Sequence, residues 1–258
     1  MAESPLLELA ACTVRFGGLT AVDDLTLHVA PQELVSLIGP NGAGKTTVFN
    51  AITGVYPLSS GGIRFAGRDI AGLAPHRVAK LGVGRTFQNI RLFKGITVLD
   101  NLRAAMHQDG DYDLLRAAAR SRTWAATESR LEARAMELLA VFGLEARAGE
   151  LAGGLPYGEQ RRLEIVRALA TGPQLLLLDE PAAGMNPAET QRLMGLIRSL
   201  IERFSLTILL IEHDMKLVMG VSDRVVVLNY GREIAAGTPQ EIARNPAVIE
   251  AYLGEPTH

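Results

Sequence analysis

The sequence contains one cysteine, Cys12, among its 258 residues. A lone cysteine excludes an internal disulfide bond and is typical of proteins in a reducing compartment. The formal net charge of −2 provides no basic excess, so we expect no nucleic acid as a main partner. No stretch approaches the roughly 18 uninterrupted apolar residues that span a bilayer. We therefore expect any association with a membrane to come through a partner.

Residues 1–5 also lack the positive charge followed by an apolar stretch that marks a secretory signal, so we expect no such signal. What is present is a chain of 258 residues, of which 48% are hydrophobic. That length and composition suit one large domain, or a domain with a subdomain, built around a substantial core.

The most informative run is glycine-rich and lies between a predicted buried strand, 34–38, and a helical pattern that begins at Thr46. It reads Gly39-Pro40-Asn41-Gly42-Ala43-Gly44-Lys45-Thr46-Thr47. A strand, a G-x-x-x-x-G-K-T loop and a helix are the context of a phosphate-binding P-loop, whose backbone N–H groups surround the phosphates. We expect Lys45 to reach the β- and γ-phosphates and the Thr46 hydroxyl to coordinate Mg²⁺. The alternative is a glycine-rich turn with a chance lysine. The run therefore predicts binding of a nucleoside triphosphate.

Apolar patterning predicts an α/β fold with strands in both halves of the chain. Strands are expected at 7–16, 25–29, 34–38, 61–65, 82–87, 175–178, 206–211 and 225–228. The first three are expected to form an antiparallel set, whereas the apolar strands of the second half suit a parallel sheet. Helices are expected at 75–81 and after the capping signals at Asn186-Pro187 with Glu189, at Thr238-Pro239-Gln240-Glu241 and at Asn245-Pro246.

Residues 97–170 follow a mostly helical pattern, and this pattern has breaks at 107–113 and 150–156. We interpret them as a helical subdomain inserted into a single domain, 1–258. The α/β core would then comprise residues 1–96 and 171–258.

Two carboxylates end the apolar strand predicted at 175–178. Asp179 at the strand tip is placed to hold Mg²⁺ together with Thr46. Glu180 would then face the γ-phosphate, where it could orient the attacking water or accept its proton. Such a pair after a strand is otherwise a solvated turn or a helix cap. Because the chain also has a P-loop, we favour the roles of Asp179 and Glu180 in a nucleotide site.

Gln88 and His213 also follow predicted strands. Ligands of open α/β sheets gather at the carboxyl ends of the strands, which makes both residues candidates for the nucleotide site. Taken alone, a glutamine or histidine in a loop carries no such implication.

With these motifs, the chain resembles the nucleotide-binding subunit of ABC transporters over essentially its full length. The motifs occur in the family's order: the P-loop 39–47, the Q-loop at Gln88, the signature 155–160, the Walker B strand 175–180, the D-loop 183–187 and the H-loop at His213. The resemblance implies that Glu180 is the catalytic base and that His213 holds the γ-phosphate. It implies that Gln88 contacts Mg²⁺, the γ-phosphate and a transmembrane partner. Phe16 would stack on adenine, although from the pattern alone it would be a core residue.

The signature departs from the common Leu-Ser-Gly-Gly-Gln and reads Leu155-Pro156-Tyr157-Gly158-Glu159. Proline has neither the serine hydroxyl nor an N–H group, though it suits a helix start. The helix N-terminus and Gly158 remain for a phosphate held by the opposite subunit, so we expect that contact to be weakened or replaced. The D-loop has Asn186 where aspartate is usual, and Asn186 also suits a helix N-cap.

These departures resemble one subgroup, the ATP-binding subunits of branched-chain (hydrophobic) amino-acid importers. The diagnostic runs surround Gln88, Glu159 and Asp179. Two further features are similar to this subgroup, the ending Ala251-Tyr252-Leu253-Gly254 and a helical stretch around 108–135. The resemblance implies ATP and Mg²⁺, a second ATP-binding subunit in a homo- or heterodimer, two permeases and, indirectly, a substrate-binding protein. It implies a peripheral position on the cytoplasmic face of the inner membrane. Similar sequences serve urea, short amides or other amino acids.

The implied mechanism is ATP hydrolysis at a dimer interface that the signature of the opposite subunit completes. Two alternatives remain open, a non-catalytic nucleotide-binding partner subunit and a soluble ABC protein that acts on ribosomes or DNA. An apolar strip could dock the permeases or belong to the core; it consists of Ile90, Leu92, Phe93, Ile96, Val98 and Leu99.

Overall fold

The computed structural model describes residues 4–107 and 122–253. The chain divides into two compact units, an α/β unit from 1–85 with 174–258 and a helical unit, Thr86–Pro173. The helical unit begins at Thr86 rather than at the expected residue 97, because the segment after Arg85 is hydrogen-bonded to a helix of this unit. Among the described residues, no helix has both the length and the apolar character needed to cross a bilayer.

The described strands, in chain order, are β1 (Leu7–Phe16), β2 (Leu19–Val29), β3 (Leu34–Ile38), β4 (Ser60–Phe65), β5 (Arg68–Asp69), β6 (Val83–Arg85), β7 (Leu175–Asp179), β8 (Thr207–Ile211), β9 (Arg224–Asn229) and β10 (Arg232–Gly237). The described helices are α1 (Lys45–Ile52), α2 (Pro75–Lys80), α3 (Val98–Met106), α4 (Arg122–Val141), α5 (Tyr157–Leu169), α6 (Pro187–Phe204), α7 (Met215–Val221), α8 (Pro239–Ile242) and α9 (Pro246–Leu253). The predicted α/β class, with a mostly parallel sheet, an antiparallel sheet and helices, is confirmed.

The smaller sheet is antiparallel and has the strand order β2-β1-β4-β5. Leu7 of β1 lies opposite Val29 of β2 on one side and Phe65 of β4 on the other. The expected start of β2 at residue 25 was too late, because the strand already pairs with β1 from Leu19. Register shifts interrupt this ladder, and they break the apolar alternation that marks a strand in the sequence.

The larger sheet has the order β10-β9-β3-β8-β7-β6, and its neighbours are parallel except for the β9–β10 pair. The prediction that β3 belongs to the antiparallel set was wrong. Leu34 of β3 pairs with Ile208 of β8, and Val35 pairs with Arg224 of β9. All five residues of β3 are buried, as expected for a central strand of a parallel sheet with both faces covered.

The core of the α/β unit lies on both faces of the larger sheet. On one face, side chains of the antiparallel sheet and α1, including Leu7, Phe49 and Phe65, pack against β3, β7 and β8. On the other face, Ile38, Val218 and Val227 form a second cluster with residues of α8 and α9. Because β3 is covered on both sides, the loop that follows it starts from a rigid support.

The helical unit contains α3, α4 and α5. Thr97 caps α3, with its Oγ1 atom accepting the N–H of Asp100 at 3.0 Å. The expected break at 150–156 coincides with a 3-10 turn, Ala152–Gly154. Residues 108–113 of the other expected break, and 108–121 of the stretch that resembles the importer subgroup, lie outside the described residues.

The predicted helix starts at Asn186, Thr238 and Asn245 are confirmed. The Asn186 side chain accepts the N–H of Glu189 at 3.0 Å, and the Glu189 carboxylate accepts the N–H of Asn186 at the same distance. Thr238 makes the same reciprocal pair with the residue three positions on. Of the strands and helices given above, the pattern analysis missed three, β5, α7 and β10.

Replacing Asn186 with alanine should destabilise the chain by about 1 kcal/mol, because the first turn of α6 loses its cap. Urea unfolding followed by circular dichroism would measure the change. Gln191→Ala, at an exposed position of the same helix, is the matched control and should change the free energy of unfolding by less than about 0.5 kcal/mol. Equal effects of the two substitutions would contradict the capping role.

Candidate nucleotide-binding site

The glycine-rich loop joins β3 to α1 through backbone angles that favour glycine. The φ angles are 147° at Gly39, 78° at Gly42 and 101° at Gly44. A Cβ atom on Gly39 would lie 2.1 Å from the carbonyl oxygen of Leu228, and one on Gly44 would lie 2.4 Å from that of Ala21. Both distances are too short for any side chain. The loop is therefore closely packed against neighbouring backbone and can take only glycine at these two positions.

Backbone hydrogen bonds hold the loop in place. Ala43 N donates to the Pro40 carbonyl at 3.2 Å, and Gly231 N donates to the Ala43 carbonyl at 3.0 Å. The loop leads into α1 at Gly44, where no side chain caps the helix. The N–H groups at this end carry the positive end of the helix dipole, which favours a bound anion.

Lys45 is the first residue of α1 and is 9% exposed. Its Nζ atom donates to the carbonyl oxygens of Gly39 at 2.6 Å and Pro40 at 2.8 Å. The ammonium group thus lies against the loop itself rather than in solvent. Thr46 is exposed and Thr47 is half-buried beside it. Lys45 and Thr46 thus lie together where the loop meets α1.

Asp179 ends β7 and is buried, with an arginine as its neighbour. Arg85 Nη2 lies 3.4 Å from Asp179 Oδ2, and its Nη1 donates to Asn50 Oδ1 at 2.8 Å and Thr53 Oγ1 at 3.1 Å. Arg85 therefore links the Walker B aspartate to α1. The sequence analysis gave Arg85 no role, although a charged residue at the end of a short strand, Val83–Arg85, is a usable signal.

The donor set suits Mg²⁺. Across residues 4–107 and 122–253, no three His, Cys, Asp or Glu side chains cluster as a metal site. Mg²⁺ prefers oxygen ligands and is usually bound by one or two carboxylates together with substrate phosphates and water. The Thr46 hydroxyl and the Asp179 carboxylate provide such oxygens. Gln88 belongs to the helical unit, where its side chain is exposed and its carbonyl accepts a hydrogen bond from Arg161.

Glu180 follows Asp179 with a φ angle of 46°. Non-glycine residues in this left-handed region cost on the order of 1–3 kcal/mol and are concentrated at functional sites. Its N–H donates to the Ile211 carbonyl at 2.9 Å, so Glu180 lies where β7 and β8 end. His213 Nδ1 lies 3.9 Å from Glu180 Oε2. A carboxylate and an imidazole, both able to accept a proton, thus face each other at this sheet edge.

Glu212 is a further residue of this edge that the sequence analysis did not single out. It is 1% exposed, and its two oxygens accept the N–H groups of Ala182 at 3.0 Å and His213 at 3.2 Å. Burial raises the pKa of the Glu212 carboxyl, and the two N–H groups offset part of that effect. Glu212 therefore ties the segment after Glu180 to His213. An acidic residue directly after the apolar run Ile208–Ile211 was the available signal.

The C-terminal helix α9 also supports the loop. Tyr252 packs against the cluster that contains Ile38, the last residue of β3 before the loop. Burial raises the pKa of Tyr252. No local signal in the sequence connects this tyrosine to the P-loop, because the contact joins opposite ends of the chain.

The signature residues form the start of α5. Leu155 is buried, Pro156 is the N-cap residue without a side-chain cap, and Tyr157 is exposed. Leu155 accepts a hydrogen bond from Gln160 Nε2 at 2.7 Å. The prediction that Pro156 starts a helix is confirmed. Gly158 and Glu159 follow in its first turn.

Phe16 is 44% exposed, so its interpretation as a core residue was wrong. Its ring meets Tyr56 edge to face, with the ring centroids 5.0 Å apart. Phe16 is the last residue of β1, and its side chain is partly accessible to solvent there.

A glycine-rich phosphate loop at the end of the central strand β3, with carboxylates at the ends of β7 and β8 in the same sheet, defines a P-loop nucleotide-binding protein. The ABC transporter family matches residues 22–183, and the chain belongs to this family. Within that family, the chain is an ATP-binding subunit with ATPase activity. The family described as branched-chain amino acid ATP-binding cassette transporter matches residues 232–258.

Curated relatives match almost the whole chain. The high-affinity branched-chain amino acid transport ATP-binding protein BraF of Pseudomonas aeruginosa is 49% identical over 97% of this chain and 98% of its own length. The protein of the same description, LivG of Escherichia coli K12, is 50% identical over the same shares. A nucleotide-free ATP-binding cassette from an ABC transporter superposes with a TM-score of 0.85, at 30% identity, over 98% of this chain and 100% of that one.

Proposed function

We propose that the chain hydrolyses ATP to power an importer of branched-chain (hydrophobic) amino acids. The observation that supports branched-chain amino acids as the cargo is the similarity to two such subunits over 97% of the chain. The hydrolysis rests on the geometry of Lys45, Glu180 and His213. Another cargo of the same transporter class, such as urea, amides or other amino acids, is the alternative.

In this proposal the triphosphate lies against the N-terminus of α1. Lys45 exchanges its carbonyl partners for the β- and γ-phosphates, and the N–H groups of the loop, residues 39–47, surround the phosphate oxygens. Phosphoryl transfer depends on positioning and on charge stabilisation, which both groups supply. Phe16 stacks on the adenine ring.

Glu180 orients the attacking water and accepts its proton, and His213 holds the γ-phosphate. Glu212 holds the backbone at Ala182, two residues after Glu180, and at His213. Thr46, Asp179 and Gln88 would hold Mg²⁺, and the ion when bound neutralises charge between the β- and γ-phosphates.

The partners in the proposal are a second ATP-binding subunit, two permeases and, indirectly, a substrate-binding protein. Residues 155–159 cover the nucleotide of the opposite subunit. The chain would then lie peripherally, on the cytoplasmic face of the inner membrane. Within the predicted apolar strip, Phe93 is 56% and Ile96 36% exposed, whereas Val98 is fully buried. The exposed pair supports permease docking, and Val98 belongs to the core.

The experiment is uptake into proteoliposomes that contain the complete transporter with its binding protein. We expect ATP-dependent uptake of labelled leucine, isoleucine and valine, with little competition from excess urea or acetamide. Omitting this subunit should reduce uptake to background. Strong uptake of urea or an amide without uptake of leucine would reject the cargo while retaining the transporter class.

A further inference from the structure

The helical unit contains a buried ion pair on α5, next to the signature residues. Arg161 Nη1 lies 2.7 Å from Glu164 Oε2, and the side chains are 0% and 2% exposed. Residues three apart on a helix share one face, so both groups point to the same neighbour. Charged residues are rarely buried this completely without specific partners.

The neighbour is the segment that contains Gln88. Arg161 donates to the carbonyl oxygens of Phe87 at 2.7 Å and Gln88 at 2.8 Å. Glu164 Oε1 accepts the N–H of Arg91 at 3.0 Å. The two side chains therefore bind three backbone groups of residues 87–91.

The segment 87–91 has no helix or strand of its own. Its backbone position therefore depends on the hydrogen bonds that it makes with other parts of the unit. A second contact within the segment comes from Arg91, whose guanidinium carbon lies 4.1 Å from the centroid of the Phe87 ring. The ion pair of α5 anchors the backbone of this segment through the hydrogen bonds described above.

Stability alone does not account for such a pair. Removing two charges from water is costly, and well-packed apolar residues of similar volume often stabilise a fold equally well. What apolar residues cannot do is bind two carbonyl groups and an N–H group in one defined position. The guanidinium of arginine, with several donors in a planar fork, suits the two adjacent carbonyls.

We propose that Arg161 and Glu164 are positioning residues that make the signature end of α5 and the Gln88 segment move as one body. The proposal rests on the proposed function, in which residues 155–159 contact the nucleotide of the opposite subunit and Gln88 contacts a permease. Closure of the signature on ATP then displaces Gln88 through α5 itself. The pair acts through Gln88 and does not touch the nucleotide.

The test is the double variant Arg161→Met with Glu164→Leu, which replaces the pair by apolar side chains. In the isolated chain we expect an unchanged ATP affinity and a lower unfolding temperature, because the carbonyls of Phe87 and Gln88 and the N–H group of Arg91 lose their partners. Hydrogen exchange at the Arg91 amide should accelerate at least about tenfold, while amides within α3 keep their rates. Unaltered exchange at Arg91 would overturn the proposed hold on the segment.

In the complete transporter, the ratio of ATP turnover with permeases to turnover without them should fall about tenfold, with KM for ATP unchanged. Coupling between two sites is commonly about 5- to 150-fold. The matched control is Arg134→Met with Glu137→Leu, an exposed pair with the same spacing in the same unit, and it should leave the ratio unchanged. A double variant at 161 and 164 that is stimulated like the unmodified transporter would overturn the proposal.

Arg161→Lys provides an independent measurement if the double variant does not fold. Lysine keeps the charge but cannot span both carbonyls as the planar fork does, so the same loss of stimulation is expected. Full stimulation in this variant would also overturn the proposal. An unmodified complex without ATP turnover would reject the proposed function instead, and hydrogen exchange at Arg91 would still decide whether the pair holds the segment.

Discussion

Replacing Lys45 with alanine is expected to abolish detectable ATP turnover and to weaken ATP binding about tenfold or more. Lys45 is the buried cation of the phosphate loop, and its Nζ atom already lies within hydrogen-bond distance of two loop carbonyls. A hydrogen bond to a charged group contributes about 1.5–3 kcal/mol, which corresponds to about one to two powers of ten in affinity. The effect on turnover is larger, since charge stabilisation in the transition state is also lost. Calorimetric titration and phosphate release would measure the two effects.

Two further variants separate charge from packing. Lys45→Met keeps most of the aliphatic stem of lysine. It should lose ATP affinity and ATP turnover to the same extent as the alanine variant. Lys80→Ala, at an exposed lysine of the same unit, should behave like the unmodified chain. Retention of both binding and turnover in Lys45→Ala would contradict the phosphate cradle.

Glu180→Gln should bind ATP normally but lose turnover by about 10²- to 10⁴-fold, the usual contribution of a general base. Glutamine has nearly the same shape and keeps an oxygen towards His213, but it cannot accept the proton of the attacking water. Phosphate release by the complete transporter, at saturating ATP, is the measurement. Because binding persists, this variant should also accumulate in the ATP-bound, closed dimer.

The control is Glu202→Gln on the exposed surface of α6, which should retain full turnover. Unchanged phosphate release from Glu180→Gln would mean that the chain only binds nucleotide while its partner subunit performs the chemistry. The left-handed backbone of Glu180, at a φ angle of 46°, favours a catalytic role over a merely structural one.

Features that depend on neighbours in the sequence could be predicted from the sequence. The Asn186 cap joins groups three residues apart, and the glycines of the P-loop allow the positive φ angles that the loop adopts. Apolar runs such as 175–178 and 206–211 identified two parallel strands almost to the residue. The start of β2 was less predictable, since a bulged register against β1 hides its alternation.

The motifs of the phosphate loop, the Walker B strand and the H-loop, together with the α/β class, were determined by the sequence alone, because short-range chemistry dictates each of them. Only the tertiary structure decided that β3 joins the parallel sheet, that Glu212 ties Ala182 to His213, and that Arg161 holds the carbonyls of residues 87 and 88. These contacts join distant parts of the chain, and the free energy of burying a strand or a charge depends on which partners the fold brings next to it.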